Sequence, residues 1–298
     1  VEVSGLTNRE IYEKGQYSIP SDTACYPAKL MHGHIKKLIE KKCDIIFYPC
    51  ITYNIKENNT DNHYNCPLVA YYSELLKSNI EELKNVRFLY PYLNINSQKL
   101  LEKTIYPVLK QLDSSISISS VAHAVKCGFK AYADYMEAIK REGERAIEYA
   151  HKNNKRIMVL SGRPYHIDPE VNHGIDKLAN SLDFVVVSED SVAHLAKDIK
   201  VNVLNQWTYH ARLFKAAYFA AQNKDVQFVQ LISFGCGIDA ITSDEIHAIL
   251  KRNNKFYTQI KIDEISNLGA AKIRLRSLLA ALDAKDAIKD KQAGNLGV

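Results

Sequence analysis

The stretch of sequence that decides the fold is residues 156–188, RIMVLSGRPYHIDPEVNHGIDKLANSLDFVVVS. It opens with a short apolar run, RIMVLSG, which is typical of a strand buried on both faces of a sheet. A polar loop and a helical segment follow, and the apolar run DFVVVS closes the stretch. A strand, a helix and a second strand in this order predict a βαβ unit with two parallel strands.

Similar units extend in both directions along the chain. Downstream, the pattern predicts a helix near residues 206–222, the strand VQFVQLISFG, the helix ITSDEIHAILKRN, the strand FYTQIKIDE and a final helix after Asn267. Upstream, it predicts the helix ACYPAKLMHGHIKKLIEKK, the strand DIIFYP, the helix CPLVAYYSELLKSNIEEL and the strand VRFLYPYLNI. This alternation indicates an α/β protein whose sheets are parallel.

Residues 97–152 show helical periodicity except at DSSISISS, where Ser119 or Ser120 is expected to cap the second helix. This helical segment divides a chain of 298 residues, which is long enough for two domains of ordinary size. We expect an N-terminal α/β domain over residues 1–118 and a helical connector over 119–154. A C-terminal α/β domain with a terminal helix, capped by Ser266 or Asn267, is expected over 155–298.

The composition predicts a soluble globular protein. Hydrophobic residues make up 46% of the chain, and the net charge of +5 is spread over helical faces, so nucleic-acid binding is not required. The apolar runs are too short to cross a bilayer and no signal peptide is evident, so we expect a cytoplasmic protein with no membrane partner. Because the chain begins with Val1 and not Met, we also expect a preceding segment.

Six cysteines carry the most specific chemical signal, and none forms a C-x-x-C pair. Cys43 and Cys127 lie in lysine-rich or helix-like surroundings, where packing is the favoured interpretation. The other four lie in turn-forming contexts: Cys25, Cys50, Cys66 and Cys236. Cys50 and Cys236 each close an apolar run, which predicts strand ends that open toward a ligand crevice. Thiolates meeting there would suit an iron–sulfur cluster, although buried structural cysteines explain the residues alone equally well.

The loop SGRPYHIDPEVNHG is the second place where chemistry is expected. It follows a predicted strand and contains Arg163, His166 and His173. Arg163 could clamp a carboxylate or phosphate, and the histidines could move protons near pH 7, so the three form a candidate catalytic set for a substrate. The alternative is that Arg163 pairs with Asp168 and the histidines bind backbone carbonyls.

Several catalytic motifs are absent from the sequence. It contains no G-x-x-x-x-G-K-[ST] loop, no G-x-G-x-x-G fingerprint, no H-E-x-x-H and no G-x-S-x-G. Nucleotide hydrolysis, dinucleotide binding, zinc proteolysis and serine esterase chemistry therefore lack support.

Five strings resemble the 2-hydroxyacyl-CoA dehydratase superfamily: IPSDTACYPAKLMHGHI, DIIFYPC, LSGRPYHIDPEVNHGID, LISFGCGIDAITSDEI and YTQIKIDEISNLGAAKIRLRSL. More narrowly, they are similar to the region that follows the ATPase modules in large proteins named CoA-substrate-specific enzyme activases. Related subunits of that superfamily fold as two flavodoxin-like, or Rossmann-like, α/β domains. Their cysteines surround a 4Fe-4S or double-cubane cluster between the domains, and a separate ATPase, the activase, supplies electrons. The resemblance implies the same two-domain fold for this chain.

The resemblance also implies site residues and partners. Cys25, Cys50 and Cys236 would bind the 4Fe-4S cluster or its double-cubane relative, and Cys66 would be either a further metal ligand or a spare. The chain would take part in ATP-coupled, low-potential electron transfer to a small substrate, for which an acyl-CoA is one candidate. Expected partners are an ATP-dependent activase module, in the same or a separate chain, and a second copy of this chain in a homodimer.

Two other functions stay open at this point. The chain could be a non-catalytic docking module of an activase protein, with structural cysteines. It could also be an α/β domain stabilised by zinc, because cysteine thiolates suit that metal as well.

Overall fold

The computed structural model describes residues 1–57, 60–197, 199–233, 235–264 and 268–295, with side chains through residue 288. The helices are α1 (Arg9–Gly15), α2 (Tyr26–Glu40), α3 (Pro67–Asn79), α4 (Gln98–Lys110), α5 (Ile118–Lys152), α6 (Pro169–Asn172), α7 (Ile175–Ser181), α8 (Glu189–Val192), α9 (Thr208–Gln222), α10 (Gly237–Arg252) and α11 (Leu268–Asn295). The strands are β1 (Ile45–Phe47), β2 (Cys50–Ile51), β3 (Arg87–Leu89), β4 (Tyr92–Leu93), β5 (Arg156–Ser161), β6 (Phe184–Val187), β7 (Val226–Ser233) and β8 (Tyr257–Ile262). These strands pair in parallel, which confirms the predicted α/β class.

The larger sheet contains four strands in the order β6-β5-β7-β8. Successive side chains of its two central strands point to opposite faces, and both faces are covered by helices. In β5, Met158 and Leu160 face one core, while Ile157 and Val159 face the other. The first core is covered by α7 and α11, and the second by α9, α10 and the end of α5. The sheet is therefore the middle of three layers, as the run at residues 156–188 predicts.

The first half of the chain forms two short parallel pairs, β1 with β3 and β2 with β4. The predicted strand VRFLYPYLNI is thus two strands, with Pro91 between them. Pro49 separates β1 from β2 in the same way, because a proline has no N–H to donate to a β-ladder. Backbone bonds from Tyr48 to Leu89 and from Cys50 to Pro91, at 2.9 and 3.0 Å, link the two pairs.

The first two helices pack against the larger sheet's half of the molecule. Ile11 of α1 and Tyr26 and Leu30 of α2 belong to the same core as residues of β5 and α11. The pattern did not predict α1, a helix of only seven residues. It contacts α2 closely where Gly33 faces the backbone of Ile11. The N-terminal elements are therefore part of the scaffold that surrounds the predicted cysteine turns.

The predicted connector contains a single 35-residue helix, α5. Its cap is Ser117, whose hydroxyl accepts a hydrogen bond from the Ser120 N–H at 3.1 Å, so the predictions of Ser119 and Ser120 are wrong by two and three positions. The predicted caps of α11, Ser266 and Asn267, lie outside the described residues. The domain boundaries after residues 118 and 154 stay predictions.

Across the described ranges, none of the helices combines the length and the apolar character that crossing a membrane requires.

Candidate functional site

Three of the four singled-out cysteines occupy the same structural position, the residue immediately before a helix. Cys25 precedes α2, Cys66 precedes α3 and Cys236 precedes α10, all with extended backbone angles. Proline in the first turn of α2 and of α3 favours a helix start there, because its fixed φ suits that position. The unpaired N–H groups and the positive end of the helix dipole favour negative charge at all three thiols.

The fold brings these three thiols together from distant parts of the chain. The Cys25 thiol lies within electrostatic range of Cys66, Cys236 and the Arg163 guanidinium. The turn before Cys236 also approaches the turn before Cys25 closely. Gly235 has a φ of +77°, and a Cβ there would lie 3.1 Å from the Thr23 carbonyl oxygen. We refer to Cys25, Cys66 and Cys236 as the thiol cluster.

Cys50 occupies a different environment from the thiol cluster. It begins β2, has no exposed surface, and its Sγ lies 3.2 Å from the Ser73 hydroxyl. It lies within electrostatic range of Tyr48, which Cys25 and Cys66 also influence. Cys50 would have to leave Ser73 to become a ligand, and its role as a cluster ligand stays a prediction.

The two remaining cysteines divide between buried and exposed positions. Cys43 packs against the core formed by α2, α3 and β1, which confirms the packing interpretation. Cys127 is exposed on α5, with its Sγ 3.6 Å from the His123 ring, so the packing interpretation is wrong there. Its position on the outward face of the helix explains the difference.

Beside the thiol cluster, Arg163 and Asp239 form a buried ion pair. One guanidinium nitrogen of Arg163 donates to Asp239 Oδ1, and the other donates to Asp239 Oδ2 at 3.1 Å and to the Ser233 hydroxyl at 3.2 Å. The Ser233 N–H donates to the same carboxylate at 2.9 Å. Arg163 therefore pairs with Asp239, and the expected local pairing with Asp168 is wrong. Asp168 instead caps α6 by accepting from the Glu170 N–H.

Two neutral histidines flank this ion pair. His166 Nδ1 accepts from the Arg163 N–H at 2.9 Å, and His210 Nε2 lies 3.9 Å from Asp239 Oδ1. Burial lowers the pKa of His166 well below its usual range and that of His210 to about 3. Within the described part of the chain, His166 Nε2, His210 Nε2 and Arg163 Nε are buried without a hydrogen-bond partner. Three buried nitrogen atoms near the thiol cluster therefore remain able to form hydrogen bonds.

His173 makes different contacts from Arg163 and His166. Its ring stacks on Tyr26, with centroids 5.7 Å apart, and its Nε2 is 2.7 Å from the Asp263 carbonyl oxygen. This contact matches the expected alternative of a histidine bound to a backbone carbonyl. The candidate catalytic set of Arg163, His166 and His173 stays a prediction.

Burial keeps the thiols of the cluster in their neutral form. It raises the pKa of Cys25 to about 11, and the Ala28 N–H and the charge of Arg163 offset only part of the increase. Burial also raises the pKa values of Cys66 and Cys236. Thiolates would therefore form here when a metal replaces the protons.

A cavity of about 200 Å³ adjoins the thiols of Cys25 and Cys66. Its lining is mostly apolar and includes Ala28, Leu30, Met31, Leu68, Val69 and Val171. Its polar lining includes the tyrosines Tyr48, Tyr72 and Tyr165. The sequence pattern singled out neither Tyr72 nor Asp239. The only available signal for Asp239 was its position three residues after Cys236, at the start of a helix.

A single metal ion and a cluster of several iron atoms require different spacings of their ligands. Among the residues that the structure describes, no three His, Cys, Asp or Glu side chains come close enough together to hold one metal ion. A cubane presents several iron atoms, so its thiolate ligands stand farther apart than the ligands of one ion. Thiols are the soft donors that such a cluster uses; Cys25 and Cys66 line a common cavity, and Cys236 lies near Cys25.

Comparison with known proteins agrees with this description at the level of family. No curated protein matches the chain. A family model described as "CoA enzyme activase uncharacterised domain" matches residues 1–192, which is about two thirds of the sequence and includes Cys25, Cys66 and Arg163. The chain therefore belongs to the CoA enzyme activase uncharacterised domain family.

Proposed function

We propose that Cys25, Cys66 and Cys236 hold an iron–sulfur cluster of the 4Fe-4S type or its double-cubane relative. The domain would use it in ATP-coupled, low-potential electron transfer to a small substrate. The observation that carries this proposal is the convergence of three thiols, each at the start of a different helix, beside one buried arginine. Membership of an activase-related family supports an activase module as the electron donor, in the same or a separate chain.

The local electrostatics favour an anionic group at this position. A cluster with thiolate ligands carries negative charge, and the three helix N-termini favour that charge, whereas the charge of the Arg163 guanidinium is already paired with Asp239. Arg163 is held by Asp239, which fixes its direction, while its Nε has no partner in the described part of the chain. The helix N-termini would stabilise the bound cluster.

When bound, the cluster would supply one-electron reduction. The protein's own residues would provide the surroundings: an apolar cavity that limits water, and the Tyr48 and Tyr165 hydroxyls at its wall. Because the thiols are neutral in the metal-free protein, cluster assembly would release protons and become more favourable as pH rises.

The strand order also supports a finer description of the fold. Numbered along the chain, the four strands of the larger sheet lie in the order 2-1-3-4, which matches the beginning of the flavodoxin-like order. We infer a flavodoxin-like C-terminal half, with the thiol cluster beyond the carboxyl ends of its strands, where such sheets bind ligands.

The test is the iron and acid-labile sulfide content of protein reconstituted without oxygen. Cys25→Ser, Cys66→Ser and Cys236→Ser are each expected to lose most of the iron and the visible charge-transfer absorption. Cys43→Ser and Cys127→Ser are the matched controls and should retain both. Cys50→Ser decides whether Cys50 or Cys66 is the third ligand beside Cys25 and Cys236. Retention of iron in this variant would assign that position to Cys66.

Two outcomes would overturn the proposal. Zinc in place of iron, bound at the same cysteines under anaerobic conditions, would indicate a structural site. Protein that binds neither metal would leave the docking module of an activase as the function to pursue.

A further inference from the structure

The cavity beside Cys25 and Cys66 has a distinctive set of hydrogen-bonding groups. Three tyrosines line it, but they are not equivalent. The Tyr72 hydroxyl lies 3.0 Å from His32 Nε2 and is already engaged. The hydroxyls of Tyr48 and Tyr165 make no hydrogen bond with any residue that the structure describes. Two O–H donors are therefore available at the wall of a largely apolar space.

The cavity lining offers no cation, among the described residues, to an anion that enters it. Asp168 contributes a carboxylate, and neither lysine nor arginine is among the described residues that border the cavity. His34 also borders it, but its two ring nitrogens are engaged by the hydroxyls of Ser4 and Thr7 at 2.8 and 3.2 Å. Arg163 lies behind the Tyr165 ring, 5.6 Å from its centroid, and its charge is paired with Asp239. A carboxylate or phosphate entering the cavity would lose its hydration without gaining a cation.

The size of the cavity limits the ligand further. Its volume of about 200 Å³ lies below the range of roughly 300–1,000 Å³ that is usual for sites of drug-sized molecules. It would hold a compact molecule with a few non-hydrogen atoms. The side chains of Leu68, Val69 and Val171 offer apolar contact to the remainder of such a molecule.

We propose that this cavity binds a small uncharged molecule through a carbonyl or amide oxygen, which accepts hydrogen bonds from the Tyr48 and Tyr165 hydroxyls. The assignment names the substrate class of the proposed redox site and rests on that function for its reaction, but not for binding. It also restricts an acyl-CoA substrate. Only the uncharged acyl and thioester end could enter, because the nucleotide and its phosphates are too large and too negative for this space.

The experiment measures binding of two molecules of the same shape by cluster-free protein with reduced thiols. Isobutyramide is uncharged and carries an amide oxygen, whereas isobutyrate is an anion. Ligand-detected NMR titration should show saturable binding of isobutyramide and at least about tenfold weaker binding of isobutyrate. Equal binding of the two, or no binding of isobutyramide, would overturn the assignment without any variant.

Three tyrosine-to-phenylalanine variants test which hydroxyls donate to the amide oxygen of the ligand. Tyr48→Phe and Tyr165→Phe should each weaken isobutyramide binding by about three- to tenfold, because each removes one hydrogen bond. Tyr72→Phe is the matched control, since it removes a hydroxyl from the same wall that is already bonded to His32, and it should leave affinity unchanged. If Tyr72→Phe weakened binding as much as the other two, the assignment of the donors would be wrong.

Iron uptake and isobutyramide binding, both measured on the native protein, distinguish this inference from the proposed function. Failure to take up iron, with isobutyramide binding intact, would contradict the iron–sulfur cluster alone. Normal iron uptake without selective binding of isobutyramide would contradict the ligand assignment alone.

Discussion

The guanidinium of Arg163 and the carboxylate of Asp239 form a two-pronged ion pair that joins the loop after β5 to the first turn of α10. The two residues are only 2% and 3% exposed. Asp239 lies one turn after Cys236, so the pair holds the start of that helix against the loop. The buried positive charge near the thiol cluster thus depends on a partner that is distant in sequence.

Removing one member of this ion pair should lower the stability of the folded protein. We expect Arg163→Met to lower the free energy of unfolding by about 3–5 kcal/mol, because it leaves the Asp239 carboxylate buried without a counter-charge. The double variant Arg163→Met/Asp239→Asn should recover much of that loss, since the amide oxygen still accepts from the Ser233 N–H. Urea unfolding at pH 7 of Arg163→Met, Asp239→Asn and the double variant gives the three losses to compare. Losses that simply add would show that the two groups are not coupled.

The crossing of α1 and α2 should tolerate no side chain at Gly33. A Cβ at this position would lie 1.7 Å from the Ile11 carbonyl oxygen, so Gly33→Ala must separate the two helices. We expect destabilisation of about 1–3 kcal/mol or more from this overpacking. Gly128→Ala in α5 is the control. Its Cβ would meet nothing within 4 Å, and it should stabilise the protein by about 0.5–1 kcal/mol. Thermal unfolding that moved both variants in the same direction would contradict this packing.

Glu189 should make stability depend on pH. Burial, and secondarily the neighbouring Asp190, raises the pKa of the Glu189 carboxyl to about 8 from the model-compound value of 4.5. Between these values the folded protein binds a proton that the unfolded chain does not. Its contribution to stability is therefore complete below about pH 4.5 and is lost as pH rises toward 8.

The variant Glu189→Gln tests this dependence, because its amide stays neutral and can still accept from the Gly162 N–H. Relative to the native protein, it should gain about 3–5 kcal/mol of stability between pH 5 and pH 8.5. Urea unfolding at these two pH values gives the comparison, with Glu148→Gln as an exposed control. A constant difference across the range would mean that Glu189 is already ionised in the folded state.

The cysteines should differ in their reaction with iodoacetamide. Cys127 is exposed, whereas Cys25 is half-buried and its pKa is raised to about 11, so few Cys25 side chains are thiolates at pH 8. Peptide mass spectrometry of timed samples from metal-free protein should show Cys127 modified first. Modification of Cys25 should accelerate by about tenfold per pH unit between pH 8 and pH 10. Equal rates at pH 8 in folded protein would contradict the burial of Cys25, and urea-unfolded protein gives the reference rate.

The sequence predicted the elements that depend on local pattern. The apolar runs of β5, β6, β7 and β8 and the helices between them lie where their periodicity places them, because burial on two faces leaves a continuous apolar signature. Strand ends were less predictable. Cys236 closes no strand, since β7 ends at Ser233 and the cysteine instead immediately precedes α10. The local sequence is compatible with Cys236 at a strand end and with Cys236 before a helix. The turn at Gly235, with a φ of +77°, separates the cysteine from the strand.

What the sequence determined by itself was the α/β class, the parallel arrangement and the turn positions of Cys25, Cys66 and Cys236. Tertiary structure decided which groups meet. Cys66 joins the other two thiols while Cys50 turns to Ser73, and Arg163 binds Asp239 and not Asp168. Local periodicity arises from each residue's own neighbours along the chain. Contacts between helix starts far apart in sequence depend instead on how the layers pack, which no local pattern contains.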